Sequence, residues 1–331
     1  MRKRVNLINF TAKCTLLVML VLVCSLAVSC SNSSYTPFVP GVDHDDGIII
    51  GDHVSGKGEL VWRDEFNGAS LDLTKWNYDL GSGAQYGNSG WGNNEQQYYE
   101  KDNVKLKNGK LVIEAGLRSG TYPYSSGKIT TAGVKEPSEL GGNVLLPKEF
   151  LGVKTGYVEA RLKTPRGTGF WPAFWMLGAD TNQYSGYPSH GWPNCGEIDI
   201  MEMQGGKETL LFQTIHYGVS PYNPSQKWQK GTTYTVSNMA DDYHVYAVGW
   251  NSSGVKFYFD GVLKNTINFP LPEGDYAKIF YGDDDDDAPW VIMFNLAVGG
   301  QFIGYVTPPS SAFTGPVEDR CLMVDWVRVY K

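Results

Sequence analysis

Cysteine and histidine are scarce in this sequence, with five of each in 331 residues. Neither residue occurs with the spacing of a zinc site, and a phosphate-binding loop and a helical metalloprotease motif are also absent. The sequence therefore gives no support for a metalloprotease, a zinc-binding module or a nucleotide-hydrolysing enzyme. Cys195 and Cys321 are the two cysteines that lie beyond the first 30 residues, and the sequence leaves open whether they form a disulfide.

Positive charge is in deficit, because 28 lysines and arginines face 35 acidic residues and the formal net charge is −7. Four of the basic residues lie within the first thirteen positions, so removal of the N-terminal segment would move the charge to −11. Such a surface repels polyanions and tolerates a neutral polymer. We therefore expect no nucleic-acid partner.

Long apolar runs are missing except for one at the N-terminus, residues 16–28. This run is short for a membrane span and carries basic residues on its N-terminal side, which is typical of a secretion signal. It ends at Leu26-Ala27-Val28-Ser29-Cys30, which resembles the cleavage box of bacterial lipoproteins, with Cys30 as the lipidated first residue. Ordinary signal cleavage nearby is the alternative.

These features predict the organisation of the chain. Residues 1–29 are expected to be a signal peptide of the lipoprotein type, residues 30–57 a polar tether without periodicity, and residues 58–331 one large domain. We expect a monomer in the bacterial cell envelope, either secreted or held at the outer membrane by a lipid anchor at Cys30. That anchor would be its one contact with the membrane.

Long amphipathic helices are also missing after residue 60. Short alternating runs, such as residues 111–115, 156–162 and 324–330, are separated by Gly, Asn, Asp and Pro. This pattern predicts an all-β sandwich of two antiparallel sheets. Asp260-Gly261 is a good hairpin turn between two such runs.

One stretch concentrates acidic residues within an apolar run, Gly196-Glu197-Ile198-Asp199-Ile200-Met201-Glu202. Side chains alternate along a strand, so Glu197 and Asp199 share one face while the isoleucines point into the core. Glu202 has the opposite parity, and a regular strand would bury its charge. We therefore expect a β-bulge near Ile200-Met201 that returns Glu202 to the face of the other two acids.

Two carboxylates held close together suit glycoside hydrolysis, in which one attacks the anomeric carbon and the other protonates the leaving oxygen. A third acid between them can orient the nucleophile and raise the pKa of its neighbour by like-charge repulsion. The spacing of the acids is by itself a common one, so the assignment depends on the surrounding sequence.

Aromatic residues are abundant, with 10 Trp and 20 Tyr. Several lie outside the alternating pattern, in residues 91–99 and 169–175, beside Asn and Glu. Indole rings stack on the C–H faces of sugars, while amides and carboxylates bind the hydroxyls, so these stretches suit a sugar-binding groove. Other aromatics fill the core of a large β domain, and we expect this of Phe174, Phe257 and Phe259.

The acidic stretch and the segment Trp171-Pro172-Ala173-Phe174-Trp175-Met176-Leu177 before it together resemble the signature of glycoside hydrolase family 16, in its laminarinase-like branch of endo-β-1,3-glucanases. The resemblance extends in the family's order over nearly the whole chain after Leu60. Its further motifs are Trp62-Arg63-Asp64-Glu65-Phe66, Gly92-Asn93-Asn94-Glu95, Tyr157-Val158-Glu159-Ala160-Arg161, His216-Tyr217-Gly218, Asn295-Leu296-Ala297-Val298-Gly299-Gly300 and Val324-Asp325-Trp326-Val327-Arg328-Val329-Tyr330.

The resemblance implies a β-jelly roll with a concave substrate cleft and a retaining mechanism that needs no cofactor for catalysis. By motif position Glu197 would be the nucleophile, Asp199 its orienting partner and Glu202 the acid/base. The residues implied to line sugar subsites are Asn94, Glu95, Trp171, Trp175, His216 and Asn295. A strand histidine satisfied by a neighbour is the alternative for His216.

The resemblance also implies a structural calcium, with Glu65, Gly109 and Asp325 at the positions of its ligands; a solvated strand acid is the alternative for Asp325. The chain departs from the family in three places. Lys128 stands where relatives commonly have an arginine near the sugar, residues 134–150 look longer, and residues 283–287 form a run of five aspartates.

The sequence thus predicts a retaining endo-β-glucanase that hydrolyses β-1,3 bonds in laminarin-type or mixed-linkage β-glucans. One alternative is hydrolysis of another polysaccharide such as agar, for which similar enzymes use the same acids. The other is a non-catalytic glycan-binding lipoprotein that keeps the groove.

Overall fold

The computed structural model describes residues 57–132, 155–178, 191–218, 227–271, 278–281 and 290–331. The predicted signal peptide, Cys30 and nearly all of the tether lie outside the described residues, as do the long segment 134–150 and the five aspartates of 283–287. The helices that the structure describes are all too short or too polar to cross a lipid bilayer.

Eighteen strands occur in the described residues. In chain order they are β1 (Leu60–Asp64), β2 (Asn77–Tyr78), β3 (Gln97–Tyr99), β4 (Val104–Leu106), β5 (Leu111–Glu114), β6 (Gly116–Leu117), β7 (Tyr124–Ser126), β8 (Lys128–Thr130), β9 (Gly156–Lys163), β10 (Phe170–Gly178), β11 (Glu197–Glu202), β12 (Leu210–Gly218), β13 (Lys227–Thr235), β14 (His244–Asn251), β15 (Gly254–Phe259), β16 (Val262–Asn268), β17 (Trp290–Val298) and β18 (Cys321–Tyr330).

Helical structure is limited to single turns in the described part of the chain. The one α-helical turn, α1, spans Lys278–Tyr281. The 3₁₀ turns are Ala84–Tyr86, Ser89–Gly92, Lys101–Asn103, Ser310–Phe313 and Val317–Arg320.

The strands form two large antiparallel sheets, which confirms the predicted all-β jelly-roll sandwich. One sheet has seven strands in the order β13-β12-β11-β10-β17-β8-β2. The other has eight, in the order β16-β15-β14-β9-β18-β5-β4, with β1 also paired to β18. A third, small sheet joins β3, β7 and β6.

The core lies between the two large sheets. Phe174 of β10 stacks on Phe294 of β17 with ring centroids 4.7 Å apart, and both side chains are fully buried. Val158 on β9 and Val327 on β18 are buried in the same cluster from the opposite sheet. Phe257 and Phe259 also belong to it, so the predictions made for these aromatics and for Phe174 are confirmed.

The predicted hairpin and the two cysteines can both be located in the structure. Asp260 and Gly261 have φ values of 48° and 74°, the left-handed pair that a tight two-residue hairpin requires, and they join β15 to β16 as predicted. Cys195 and Cys321 are both buried and are not joined to each other by a disulfide.

Candidate active site

The acidic stretch forms β11, an inner strand of the seven-stranded sheet. β11 pairs with β10 on one side and with β12 on the other. Along β12 the partners of Glu197, Asp199 and Glu202 are His216, Thr214 and Phe212, which alternate regularly.

The regular spacing on β12 is matched by an irregular one on β11. The register shifts between Asp199 and Glu202, and on the β10 side Ile200 is skipped between Asp199 and Met201. Ile200 and Met201 are both fully buried in the core. The predicted bulge is confirmed, and because of it the three acids share the outer face of the sheet.

Glu197 lies beside an indole and an imidazole. Its Oε2 accepts a hydrogen bond of 3.1 Å from Trp192 Nε1, and its Oε1 is 3.6 Å from His216 Nε2. The same His216 nitrogen is 3.1 Å from Asp199 Oδ2. His216 therefore contacts two of the three acids, which agrees with the alternative of a strand histidine held by its neighbours and leaves its contact with sugar a prediction.

Glu202 is held by a tryptophan that the resemblance had assigned to a sugar subsite. Its Oε1 accepts a hydrogen bond of 2.9 Å from Trp171 Nε1. The Trp171 ring packs on Phe302, with centroids 4.9 Å apart, and Phe302 also contacts Phe212 at 5.1 Å. The carboxyl of Glu202 thus lies beside an aromatic cluster that shields it from water.

Burial raises the pKa of all three acids. Loss of hydration, with the neighbouring charge of Asp199 adding to it, raises the pKa of Glu197 to about 7. Burial likewise raises the pKa of Asp199 to about 8. The pKa of Glu202 is raised well above its ordinary value by burial and then by the charge of Asp199. The raised pKa of Glu202 favours its protonated form, which is the acid that glycoside cleavage needs.

A second polar network runs across β10 and β17. Trp175 Nε1 donates a hydrogen bond of 2.7 Å to Asn295 Oδ1, and Asn295 Nδ2 donates one of 3.1 Å to the Tyr99 hydroxyl. That hydroxyl donates to Glu95 Oε2 at 3.1 Å, and Gln97 Nε2 donates to the same oxygen at 2.6 Å. Three of the predicted subsite residues are therefore joined into one chain of hydrogen bonds.

The loop that carries Asn94 and Glu95 is fastened to the end of β17. Asn94 is exposed with a φ of 55°, and the next residue, Glu95, is buried and forms a bridge with Gly299. Gly300 has a φ of 95°, and a Cβ added there would lie 3.2 Å from Trp171 and 3.4 Å from Glu95. Glycine at this position lets the loop approach the tryptophan closely.

Lys128, a residue that departs from the family pattern, lies beside Trp175 of the second polar network. Its Nζ is 3.0 Å from the fully buried carboxylate of Asp79. It also lies over the rings of Trp91 at 4.0 Å and Trp175 at 5.3 Å. The lysine is thus paired with an acid and enclosed by two indoles, so its charge is largely neutralised within the protein.

Sequence reasoning missed several of these residues. Tyr99 bridges Glu95 and Asn295, Trp192 binds Glu197, and Lys227 of β13 lies 4.4 Å over the Trp192 ring. The aromatic content of residues 91–99 was a signal for Tyr99. No local pattern marks Lys227, because it reaches the acids only through the pairing of β12 with β13.

The predicted calcium ligands have other partners among the described side chains. Both oxygens of Glu65 accept hydrogen bonds from Arg328, at 2.9 and 3.1 Å. Asp325 accepts one of 2.5 Å from Arg161, and its other oxygen is 3.2 Å from Lys110 Nζ. These carboxylates are neutralised by cations, so they do not fit a calcium site built on their negative charge.

Comparison with known proteins places this geometry in a family. A family model described as "Beta-porphyranase A-D, GH16 domain" matches residues 61–331. Glucan endo-1,3-beta-glucosidase A1 of Niallia circulans is 36% identical over 88% of this chain, although the chain spans 41% of that protein. Beta-glucanase of Rhodothermus marinus is 34% identical over 82% of this chain and 85% of its own length.

The solved structures agree. The crystal structure of a laminarinase from Flavobacterium sp. UMI-01 matches with a TM-score of 0.62 and 35% identity, covering 82% of this chain and all of that one. A matching domain over most of the chain, a shared sandwich fold and three acids on one face of β11 lead to one conclusion. The chain belongs to glycoside hydrolase family 16.

Proposed function

We propose that the protein is a retaining endo-β-glucanase that hydrolyses β-1,3 bonds in laminarin-type or mixed-linkage β-glucans. The observation that carries the proposal is the bulge in β11, which puts three acids on one face beside Trp171 and Trp192. The names of the similar proteins, a glucan endo-1,3-beta-glucosidase, a beta-glucanase and a laminarinase, support the choice of bond.

In the proposed mechanism the Glu197 carboxylate attacks the anomeric carbon while the bond from that carbon to the leaving oxygen breaks. Glu202 donates its proton to that oxygen, and a glycosyl ester of Glu197 remains. Water then attacks the same carbon, passes a proton to Glu202 and releases Glu197 as a carboxylate. Two inversions leave the anomeric configuration unchanged.

The neighbours of the acids suit these steps. Trp192 donates to the Glu197 oxygen that does not face His216, which fixes the carboxylate for attack. Burial and the charge of Asp199 favour the protonated form of Glu202, while the hydrogen bond from Trp171 orients its carboxyl and acts on the pKa in the opposite direction. Asp199 lies between the two glutamates and opposes ionisation of both.

The proposed sugar contacts are the residues implied by the resemblance. Trp175 and Asn295 share a hydrogen bond on the face of the acids, so an indole for stacking and an amide for hydroxyls are held together. Asn94 is exposed at the tip of the fastened loop, while Glu95 sits behind it and accepts from Gln97 and Tyr99. Glu95 thus acts in this proposal chiefly by holding Asn295 through Tyr99.

The second candidate is hydrolysis of a sulfated or neutral galactan, which the description of the matching family model favours. A sulfate group needs a cation that is free to pair with it. Lys128 is the described lysine enclosed in the Trp91–Trp175 region, and its charge is already paired with Asp79. This pairing argues against Lys128 as a sulfate-binding cation.

Parallel digestion of laminarin, lichenan, curdlan, agarose and porphyran separates these candidates. We expect new reducing ends from laminarin, with the β configuration retained in the first product seen by NMR. Glu197→Gln should lower kcat by roughly three orders of magnitude or more, because the variant lacks the attacking oxygen charge. Activity on porphyran alone would replace the glucan assignment, and laminarin binding without product would establish the non-catalytic alternative.

We also propose that the protein is exported to the bacterial envelope as a monomer, with a lipid anchor at Cys30. The apolar run and the cleavage box in the first 30 residues support this. Incorporation of a labelled fatty acid by the full chain, and its loss in Cys30→Ser, would test the anchor. Light scattering of the purified protein would test the monomer.

A structural calcium is the last part of the proposal taken from the resemblance. Since Arg328, Arg161 and Lys110 occupy the carboxylates of Glu65 and Asp325, binding there would have to use backbone oxygens such as that of Gly109. A melting temperature that falls on chelation and recovers with added Ca²⁺ would support the site, and an unchanged one would remove it.

A further inference from the structure

Three potential metal ligands converge on the outer face of the seven-stranded sheet. Glu197, Asp199 and His216 each present one ligand atom, and these three atoms all lie within 4.8 Å of one another. His216 Nε2 is the common neighbour, at 3.1 Å from Asp199 Oδ2 and 3.6 Å from Glu197 Oε1. Strand register produces this cluster, because His216 lies directly opposite Glu197 across the β11–β12 pair.

The cluster contains a buried oxygen whose bonding capacity is unused. Asp199 is 4% exposed, and its Oδ2 accepts no hydrogen bond from any described residue, although it faces the imidazole. His216 Nδ1 is also buried and has no hydrogen-bond partner in the described part of the chain. A buried polar atom without a partner is costly, and a bound cation would satisfy Asp199 while relieving the repulsion between the two carboxylates.

The ligand set selects the kind of cation. One imidazole nitrogen with two carboxylate oxygens suits a borderline ion such as Zn²⁺, which binds N and O ligands at about 2.0–2.2 Å. In a tetrahedral site with such bonds the ligand atoms are roughly 3.3 Å apart, and the two distances from His216 Nε2 lie on either side of that value. Ca²⁺ and Mg²⁺ prefer six or more oxygen ligands, which this cluster does not offer.

We infer that Glu197, Asp199 and His216 form a binding site for Zn²⁺ or a similar divalent transition metal, and that occupation of this site inhibits the enzyme. The metal would engage Glu197 Oε1 and Asp199 Oδ2 together and so prevent the nucleophile from reaching the sugar. Inhibition rests on the proposed function, because it requires Glu197 to be the nucleophile; binding of the metal does not. A metal in this place would exclude the saccharide, so inhibition should be competitive.

Isothermal titration calorimetry of the purified full-length protein, freed of metal with a chelator and titrated with Zn²⁺ at pH 7.5, tests the binding. We expect one Zn²⁺ per chain at this site. Asp199→Asn and His216→Gln should each weaken that binding at least as much as the roughly 10–100-fold that loss of an outer-shell partner costs. Glu202→Gln should retain it, because Glu202 is not one of the three ligands.

His244→Gln is the matched control, because His244 also pairs with an aspartate, with Nδ1 2.7 Å from Asp260 Oδ2, but on the other sheet. It should bind Zn²⁺ like the parent protein. Binding that survives in both Asp199→Asn and His216→Gln would locate the metal elsewhere, for instance at the histidines of the tether, and would overturn the inference. Melting temperatures of all variants identify any that fail to fold.

Activity assays distinguish a failure of the proposed metal site from a failure of the proposed function. If the parent protein hydrolyses laminarin, Zn²⁺ should raise the apparent KM and leave kcat unchanged, and a chelator should restore the rate, whereas Mg²⁺ should have no effect. A protein that hydrolyses laminarin but shows no variant-sensitive Zn²⁺ binding overturns the metal site and leaves the proposed function intact. A protein that binds Zn²⁺ at the site but hydrolyses no glucan overturns the function and leaves the site.

Discussion

At the scale of single residues, the charges around Glu197 set the pH range in which it is ionised and can attack. Burial and Asp199 raise its pKa to about 7, while His216, Lys227 and the hydrogen bond from Trp192 act in the opposite direction. Glu202 is the third acid of the group, and the charge of ionised Glu197 in turn raises the pKa of Glu202. A nucleophile must be ionised, so activity is lost as the pH falls through this pKa.

Removal of the Lys227 cation should therefore make the enzyme weaker in mild acid. In Lys227→Met the pKa of Glu197 rises further, so the acidic limb of the kcat/KM profile moves to higher pH and the rate on that limb falls roughly two- to tenfold. Lys230→Met is the matched control, because Lys230 is on the same strand with opposite parity. A limb that stays in place in Lys227→Met, or moves equally in both variants, would contradict this account.

Tyr99 offers a test of the second network. Tyr99→Phe removes the one hydroxyl that joins Glu95 to Asn295, and the loss of these buried bonds should cost about 1–3 kcal/mol. We expect a higher KM for laminarin with a smaller change in kcat, because Asn295 and Trp175 would lose their fixed position while the acids keep theirs. Steady-state kinetics measures both. Tyr98→Phe, at the adjacent half-buried ring beside Arg118, should leave KM unchanged.

At the scale of elements, the bulge in β11 is the feature on which the site depends. If all six residues of β11 formed a regular strand without the bulge, Glu202 would turn from the outer face into the core. Deletion of Ile200 should leave the three acids on one face of a regular strand, so activity should persist, while loss of a fully buried side chain should lower the stability of the fold. Activity on laminarin and thermal unfolding measure these effects.

The control for this deletion keeps the strand length. Ile200→Val removes one methylene from the same buried position and should cost about 0.5–1.5 kcal/mol while leaving Glu202 on the outer face. Its kcat should be near that of the parent protein. A deletion variant that folds but does not hydrolyse laminarin would show that the parity of β11 alone does not position the acid.

At the scale of the whole molecule, the net charge of −7 shapes the choice of polymer. Laminarin is neutral, so kcat/KM for it should change less than about twofold between 0.05 and 0.5 M NaCl. A sulfated galactan is repelled, and salt should relieve that repulsion, so any activity on it should rise with ionic strength. A strong fall in laminarin hydrolysis with salt would show that the cleft recruits its substrate by charge.

Much of this molecule could be predicted because its signals are local. Alternation of apolar residues predicted the strands, Asp260-Gly261 predicted the hairpin, and the parity of Glu202 predicted the bulge, all from neighbours within a few positions. The motifs of residues 171–177 and 196–202 indicated the family. The roles assigned to the acids and to the sugar subsites stay predictions until the variants are measured.

What the amino-acid sequence determined by itself is therefore the fold class, the family and the identity of the three acids, because each depends on residues close together in the chain. The tertiary structure alone decided the environment of those acids. Trp192 and Lys227 meet at Glu197, Lys128 is paired with Asp79, and the carboxylates expected to hold calcium are occupied by arginine and lysine. These contacts join residues on different strands, and the physical reason is that strand pairing and burial, which set distance and hydration, are properties of the folded sheet.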